Sequence, residues 1–403
     1  MKKLETFNPS TGECLAKLSI TPSKELQAML TRAKKAQIEW ARKSIRVRAN
    51  LILKAYEKIG DRAQKMADLI HKEMGKIPSE ARLEVDSNIT SISQIADKVI
   101  EALKPEETTD GVTRTTSYWD PLGVNACITP WNFPMGMPQT LMIPSLIAGN
   151  TVLFKPSEEV PLVGIEYAKI LNKTLPSDVL QVVVGSGEQG QDLVESDVQL
   201  ITFTGSQTTG KHILEHAGKG LKRVLLELGG KDSLIILDDA DLDAAAKFAA
   251  SNSFRNTGQV CVSTEKIFVM EGQMREFVNK IKKYTDEIQV GPMIHSRQKD
   301  HVLQQIDEAV SGGAKIIYGD PQKTEGNHLQ PVILVDVTPE MNIMMDETFG
   351  PVVCITAVKN ENEAVEQSNL GSYALGGVVF STNLDHARSV ARRLNAGMVG
   401  INR

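Results

Sequence analysis

Cysteine is scarce in this chain. Four stand among 403 residues, at positions 14, 127, 261 and 354, with no CxxC pair and no Cys/His spacing of the metal-binding kind. That excludes a disulfide scaffold and a zinc ribbon, and it points to a reduced, cytoplasmic setting with no metal site. Long runs of one charge are also missing, and the balance of 45 basic against 50 acidic residues leaves a net −5. Nucleic acid and anionic membranes are therefore excluded as main partners. The amino-terminal residues lead into polar turn formers, with no apolar stretch of the secretory kind. One absence needs a closer look, because no charged residue occurs between Asp120 and Lys155. Such a stretch could span a bilayer. Pro121, Pro130, Pro134, Pro138 and Pro144 interrupt it, so a buried element lining a cavity is the better reading.

What is present reads as a soluble protein of two or three domains. Helical periodicity predicts scaffold helices after Pro22, over about 46–74 and over 80–103. From residue 113 the pattern turns to strands alternating with helices. Strands are expected at 113–119, 124–129, 151–154, 182–184 and 200–203, then at 234–237, 266–270, 315–317, 352–356, 376–380 and 398–401. Alternation of this kind predicts open parallel sheets with right-handed crossovers, which bind ligands at the carboxyl ends of their strands. Asn132, Lys155, Gly185 and Gly205 all fall at such ends.

Several residues carry candidate chemistry. Gly185-Ser186-Gly187-Glu188-Gln189-Gly190 has the G-x-G-x-x-G spacing between a strand and a helix, which suits a nucleotide but also suits a plain turn. Gly205-Ser206 gives a second glycine-containing strand end with N–H groups open to a phosphate. Glu227 sits in an apolar run before Gly229-Gly230. It is either a satisfied buried glutamate or a base whose pKa burial has raised. Cys261, following a helix-like run that ends at Gly258, should lie on an exposed loop. It is a nucleophile if its thiolate is favoured and a base is near, although most cysteines are merely buried.

Six motifs occur in one order. They are Thr129-Pro130-Trp131-Asn132-Phe133-Pro134, Lys155-Pro156-Ser157-Glu158, Phe203-Thr204-Gly205-Ser206, Glu227-Leu228-Gly229-Gly230-Lys231, Gly258-Gln259-Val260-Cys261 and Glu347-Thr348-Phe349-Gly350-Pro351. Together they resemble the aldehyde dehydrogenase superfamily, from Asn8 to Asn402. The resemblance implies an α/β protein with a Rossmann-like, parallel-sheet dinucleotide-binding domain at 1–105 and 122–229. It implies bridging or oligomerisation strands at 106–121 and a second α/β catalytic domain at 230–403. It implies NAD as cofactor, with NADP possible, and a small-molecule aldehyde as substrate. Cys261 would be the nucleophile, Asn132 an oxyanion donor and Glu227 the general base. Trp131, Lys155, Ser157, Glu158, Gly187, Gly205, Ser206, Glu347 and Phe349 would bind the cofactor. The carboxylate of Glu158 would repel a 2′-phosphate, which favours NAD. Glu227 also favours hydrolysis to the acid, because relatives that pass the acyl group to coenzyme A typically lack that base.

Three departures from the family pattern carry expectations of their own. Where many relatives place a lysine or arginine after the Trp-Asn-Phe-Pro motif, this chain reads Gln139-Thr140-Leu141-Met142. Met137 and Leu141 then suggest an apolar substrate wall and an aliphatic aldehyde, or simply core packing. The segment 282–291 is shorter than the family's usual loop. The family's homo-oligomer uses a strand beyond Ile401-Asn402, so altered assembly is expected here. Three other readings fit parts of the sequence: a succinate-semialdehyde-type enzyme, a catalytically inactive relative, and a cysteine hydrolase without redox chemistry.

Overall fold

The computed structural model describes residues 2–403. Two compact units divide the chain. One comprises residues 1–8, 12–74 and 78–227, and the other residues 9–11, 75–77 and 228–403. Strands 106–117 belong to the first unit, and the cut falls after Glu227.

In the first unit, the hairpin β1 (Lys3–Phe7) and β2 (Cys14–Ser19) precedes four helices: α1 (Ser23–Ala41), α2 (Ile45–Gly60), α3 (Ala63–Met74) and α4 (Pro78–Ala102). The single helix expected over 46–74 is thus two, broken after Gly60. A small antiparallel pair follows, β3 (Glu106–Thr109) and β4 (Arg114–Ser117). The rest alternates: β5 (Val124–Ile128), α5 (Gly136–Ala148), β6 (Thr151–Lys155), α6 (Pro161–Leu171), β7 (Leu180–Val182), α7 (Gly187–Glu195), β8 (Leu200–Gly205), α8 (Gln207–Lys219) and β9 (Arg223–Leu228). These strands form a five-stranded sheet in the order β7-β6-β5-β8-β9. Strand β5 is central and buried at every residue, and it pairs in parallel with β6 on one side and β8 on the other. The chain therefore reverses its winding direction around β5, which is where such sheets open a crevice.

The uncharged stretch packs in this unit as α5 and its flanks, and none of the described helices is long and apolar enough to cross a membrane. Pro144 lies inside α5, while Gly149, at φ 103°, closes it in a left-handed cap. Buried Arg48 donates to the carbonyls of Ile147 (2.7 Å), Ala148 (3.3 Å), Ala41 (3.1 Å) and Lys43, so the last carbonyls of α5 have a cationic cap.

The second unit contains β10 (Asp232–Ile236), α9 (Leu242–Phe254), β11 (Thr264–Met270), α10 (Met274–Thr285), α11 (Ser296–Ser311), β12 (Lys315–Tyr318), β13 (Val332–Val335), α12 (Asn342–Met345), β14 (Val352–Val358), α13 (Glu361–Ser368), β15 (Gly376–Phe380), α14 (Leu384–Ala391) and β16 (Met398–Ile401). Its seven-stranded sheet runs β12-β13-β14-β11-β10-β15-β16. All pairs are parallel except the edge pair β12–β13, which departs from the expected all-parallel arrangement. The inner strands β10, β11, β13 and β14 are buried on both faces, while the edge strands β12 and β16 are exposed or half-buried. One apolar cluster gathers Ile235, Phe268, Val302, Leu334 and Cys354, and another gathers Leu234, Phe254, Ile267, Phe277 and Ile355. That double coverage explains why the central strands read as continuous apolar runs.

Candidate active site

The first unit holds the nucleotide-type residues at the carboxyl ends of its strands. Lys155 ends β6 and is buried, with Nζ 3.2 Å from Glu158 Oε2 and 3.3 Å from the Pro156 carbonyl. Glu158 keeps 40% of its side chain exposed. Ser157 is buried and accepts the Glu159 N–H at 3.3 Å. Gly190 lies against the Lys155 stem, where a Cβ would stand 3.8 Å from it, whereas a Cβ at Gly187 would meet nothing within 4 Å. Helix α7 carries a capping box between Ser186 and Gln189. Its first N–H groups are partly satisfied within the protein, so this glycine motif suits a flat, neutral group better than a phosphate. Helix α8 is different. Ser206 caps it through the Thr209 N–H (3.3 Å) after Gly205, and the Thr204 hydroxyl beside that turn is buried without a hydrogen-bond partner. A helix start next to an unpaired buried hydroxyl fits a phosphate or sugar. The residues of this unit therefore fit a dinucleotide.

Asn132 is buried and Trp131 half-buried on the segment between β5 and α5. The start of α5 is fixed by Glu84 of α4, which accepts the N–H groups of Met135 and Gly136, each at 3.0 Å. Met137 is half-buried, while Leu141 and Met142 lie in the core at 5% and 0% exposure. Gln139 is buried too, its amide donating to the Asn88 carbonyl (2.9 Å) and to Ser91 Oγ (3.3 Å). Glu227 departs from the sequence reading. Strand β9 alternates exposed and half-buried residues, and Glu227 is on the exposed side with Arg223 and Leu225. It is an exposed carboxylate on an edge strand, so an argument from burial does not apply to it.

Cys261 lies in the second unit, and it too departs from expectation. It is half-buried rather than exposed, and helix α9 has ended seven residues earlier, at Phe254. Asn256, Thr257 and Gly258 follow with φ of 51°, 58° and 69°. Left-handed backbone costs a non-glycine residue roughly 1–2 kcal/mol, so this turn persists only because its surroundings over-determine it. The Asn256 amide donates to the Gln259 carbonyl and the Gln259 amide to the Asn256 carbonyl, each at 3.1 Å. Thr257 Oγ1 donates to the Gly291 carbonyl (3.1 Å), and Gln259 Oε1 accepts the Ile294 N–H (2.9 Å).

The cysteine stands at the amino ends of this sheet's strands, not the carboxyl ends that parallel sheets usually offer. Lys231 and Asp232 open β10, the cysteine loop opens β11, and Glu347–Pro351 leads into β14. Glu347 Oε1 accepts the Gly230 N–H at 3.0 Å, and a Cβ on Gly229 would come within 2.3 Å of its carboxylate, so a side chain there would push Glu347 aside. Glu265 and Lys231, each 2% exposed, form an ion pair at 2.5 Å.

These groups perturb one another. Burial, then Glu347 and Asp232, pushes the Cys261 thiol up to about 11. Burial, then Glu265, pushes Glu347 up to about 8, and burial raises Asp232 to about 7. Burial, then Lys231, lowers Lys266 to about 8. The resting thiol is therefore protonated at neutral pH, and a base must take its proton before attack. Cys127 and Cys354 are fully buried and pushed up to about 12, which is the inert condition. No metal-binding group of His, Cys, Asp and Glu occurs among the described residues.

The motifs locate the strand ends correctly and include Lys231 without giving it a role, but they miss Glu84, Asp232, Glu265 and Gln298.

The fold is a Rossmann-like α/β class with parallel sheets, and comparison with known proteins narrows it. The description of the aldehyde dehydrogenase family matches residues 1–403. An NADP(+) succinate-semialdehyde dehydrogenase of Deinococcus radiodurans is 33% identical, covering 98% of this chain and 86% of its own. A betaine aldehyde dehydrogenase of Sinorhizobium fredii is 34% identical, over 99% and 85%. The crystal structure of lactaldehyde dehydrogenase from Escherichia coli superposes with a TM-score of 0.95 at 32% identity, covering 100% of this chain and 87% of that one. The chain belongs to the aldehyde dehydrogenase family, and it is an oxidoreductase acting on aldehydes.

Proposed function

We propose that the protein oxidises an aldehyde to the carboxylic acid with NAD as hydride acceptor and Cys261 as the covalent nucleophile. The observation that carries this reading is the Cys261 loop, a strained turn held by side-chain hydrogen bonds at the amino ends of a parallel sheet. Strain held in this way is typical of a functional site. Glu227 serves as the base that takes the thiol proton, and the thiolate adds to the aldehyde carbon. The Asn132 amide and the Cys261 N–H hold the developing oxyanion, a role worth about 2.7–4 kcal/mol per donor in comparable sites. A bound dinucleotide would supply the acceptor for the hydride of this carbon, and Cys261 retains the acyl group as a thioester. Glu227, having passed the thiol proton to solvent, then takes a proton from water, whose attack releases the acid and the thiolate.

The cofactor residues are Lys155 and Glu158 for the adenosine ribose, Gly187 for the adenine, Gly205 and Ser206 for the pyrophosphate, and Glu347 and Phe349 for the nicotinamide riboside, with Trp131 and Ser157 also in the cofactor site. Relatives named for NADP and for NAD both occur. The exposed Glu158 carboxylate favours NAD here. Helix α5 carries no cation, and its buried Gln139 is engaged with Asn88 and Ser91. That supports an aldehyde without a carboxylate, of apolar aliphatic type, with Met137 as the contact residue. The test is a kcat/KM series followed by NADH absorbance. Hexanal should exceed succinic semialdehyde, and the reverse order would overturn the substrate assignment.

A further inference from the structure

We propose that Glu265 is a positioning residue for the cofactor, holding the turn that presents Glu347 and Phe349. The proposal rests on the reading that those two residues bind the nicotinamide riboside.

Glu265 is the second residue of β11, four residues after Cys261, and its carboxylate is fully engaged. Oε1 accepts the Phe349 N–H at 2.9 Å; Oε2 accepts the Thr348 N–H at 2.9 Å and lies 2.5 Å from Lys231 Nζ. Two successive backbone N–H groups converging on one carboxylate make an anion nest, here filled by the protein's own side chain. Lys231 also donates to Thr348 Oγ1 at 3.0 Å. On the other side of the turn, Gln298 of α11 donates its amide to the carbonyls of Thr348 and Phe349, each at 3.2 Å. Both peptide groups of the turn are thus bound by side chains from β11, α11 and the start of β10.

The turn requires such support. Phe349 has φ 51°, a left-handed conformation that is costly for an aromatic residue. A buried ion pair by itself is weak evidence for stability, since an apolar pair of similar volume often serves as well. An apolar residue at 265 could not, however, accept two adjacent N–H groups. The carboxylate supplies geometry, and Lys231 offsets its charge. Glu347, one residue before the nest, is aimed by the same turn at the Gly230 N–H.

The test uses Glu265→Gln, Glu265→Gln combined with Lys231→Met, Gln298→Ala and Glu347→Gln in the full chain. NAD+ affinity would be measured by titration calorimetry, alongside KM and kcat for both substrates and the thermal midpoint. Glu265→Gln removes one acceptor oxygen, and a hydrogen bond to a charged group is worth enough that a loss of NAD+ affinity of about ten-fold is expected. The aldehyde KM should stay within about two-fold, because the turn held by Glu265 carries the residues assigned to the cofactor and none assigned to the aldehyde. The double variant removes the orphaned ammonium and should recover thermal stability while NAD+ binding stays weak. If instead it recovers both, the pair is merely structural and the proposal fails. Gln298→Ala acts on the half-buried side of the same turn, so it keeps the question open to test should Glu265→Gln not fold. It should weaken NAD+ binding several-fold, and wild-type affinity there would count against the proposal. Glu347→Gln separates the two levels. Unchanged NAD+ affinity in that variant overturns the cofactor role of the turn itself. Weakened affinity there with unchanged affinity in Glu265→Gln overturns only the positioning role.

Discussion

Gly258→Ala is the sharpest structural probe of the cysteine loop. Gly258 has φ +69°, and a Cβ there would meet the Gly350 carbonyl oxygen at 2.0 Å, its carbon at 2.3 Å and Pro351 N at 2.8 Å. All three are backbone atoms of the segment entering β14, so no flexible side chain can move aside. The left-handed conformation adds roughly 1–2 kcal/mol, and overpacking typically adds about 1–3 kcal/mol. The sum is roughly 2–5 kcal/mol, a large share of the ~5–15 kcal/mol by which proteins are stable. The chain can escape the clash only by moving Asn256–Cys261 away from Gly350-Pro351, which also displaces the thiol. Urea denaturation should therefore show a stability loss within that range, and iodoacetamide should alkylate Cys261 at a changed rate even in protein that remains folded. A variant within about 0.5 kcal/mol of wild type, the ordinary range for a harmless surface change, with unaltered alkylation would refute the reasoning.

The other predictions concern the two groups of residues separately. Gly187→Ala places a methyl where nothing lies within 4 Å, so the thermal midpoint should not fall, while the KM for NAD+ should rise several-fold if the adenine packs there; a wild-type KM would remove Gly187 from the cofactor site. Glu347→Gln should speed alkylation of Cys261 at about pH 9, because the charged carboxylate raises the thiol pKa; equal rates would refute that coupling. The same variant should flatten the pH dependence of stability between 4.5 and about 8. In that window the folded wild type holds a proton that the unfolded chain releases, so wild-type stability falls as pH rises through it, and identical slopes in urea titrations would contradict the raised pKa.

Much of the fold was legible because its signals are local. The apolar runs of β5, β6, β8, β10 and β11 and the glycine turns after them are written in consecutive residues. The break between α2 and α3 after Gly60 was not legible, because amphipathic periodicity continues across it and reads as one helix. The left-handed turn at Asn256–Gly258 was not legible, since its stabilising partners Gly291 and Ile294 lie more than thirty residues away. Glu227 misled for a different reason: the apolar residues around it sit on an edge strand, where alternate side chains face outward. Buried charges such as Glu265 look like a solvated face until their distant partners are known. The amino-end position of Cys261 was implied by the strand expected at 266–270 after it, but the order of strands that makes β10 and β14 the neighbours of β11 is not encoded in sequence spacing.

Cys261 as the nucleophile for aldehyde oxidation is the central proposal. The direct measurement is NADH formation from NAD+ and hexanal by the wild-type chain and by Cys261→Ser, at matched folded concentrations. Turnover by the wild type, with loss of at least about a thousand-fold in Cys261→Ser, is the result expected for removal of a covalent nucleophile. Equal rates of NADH formation in the two proteins would contradict it.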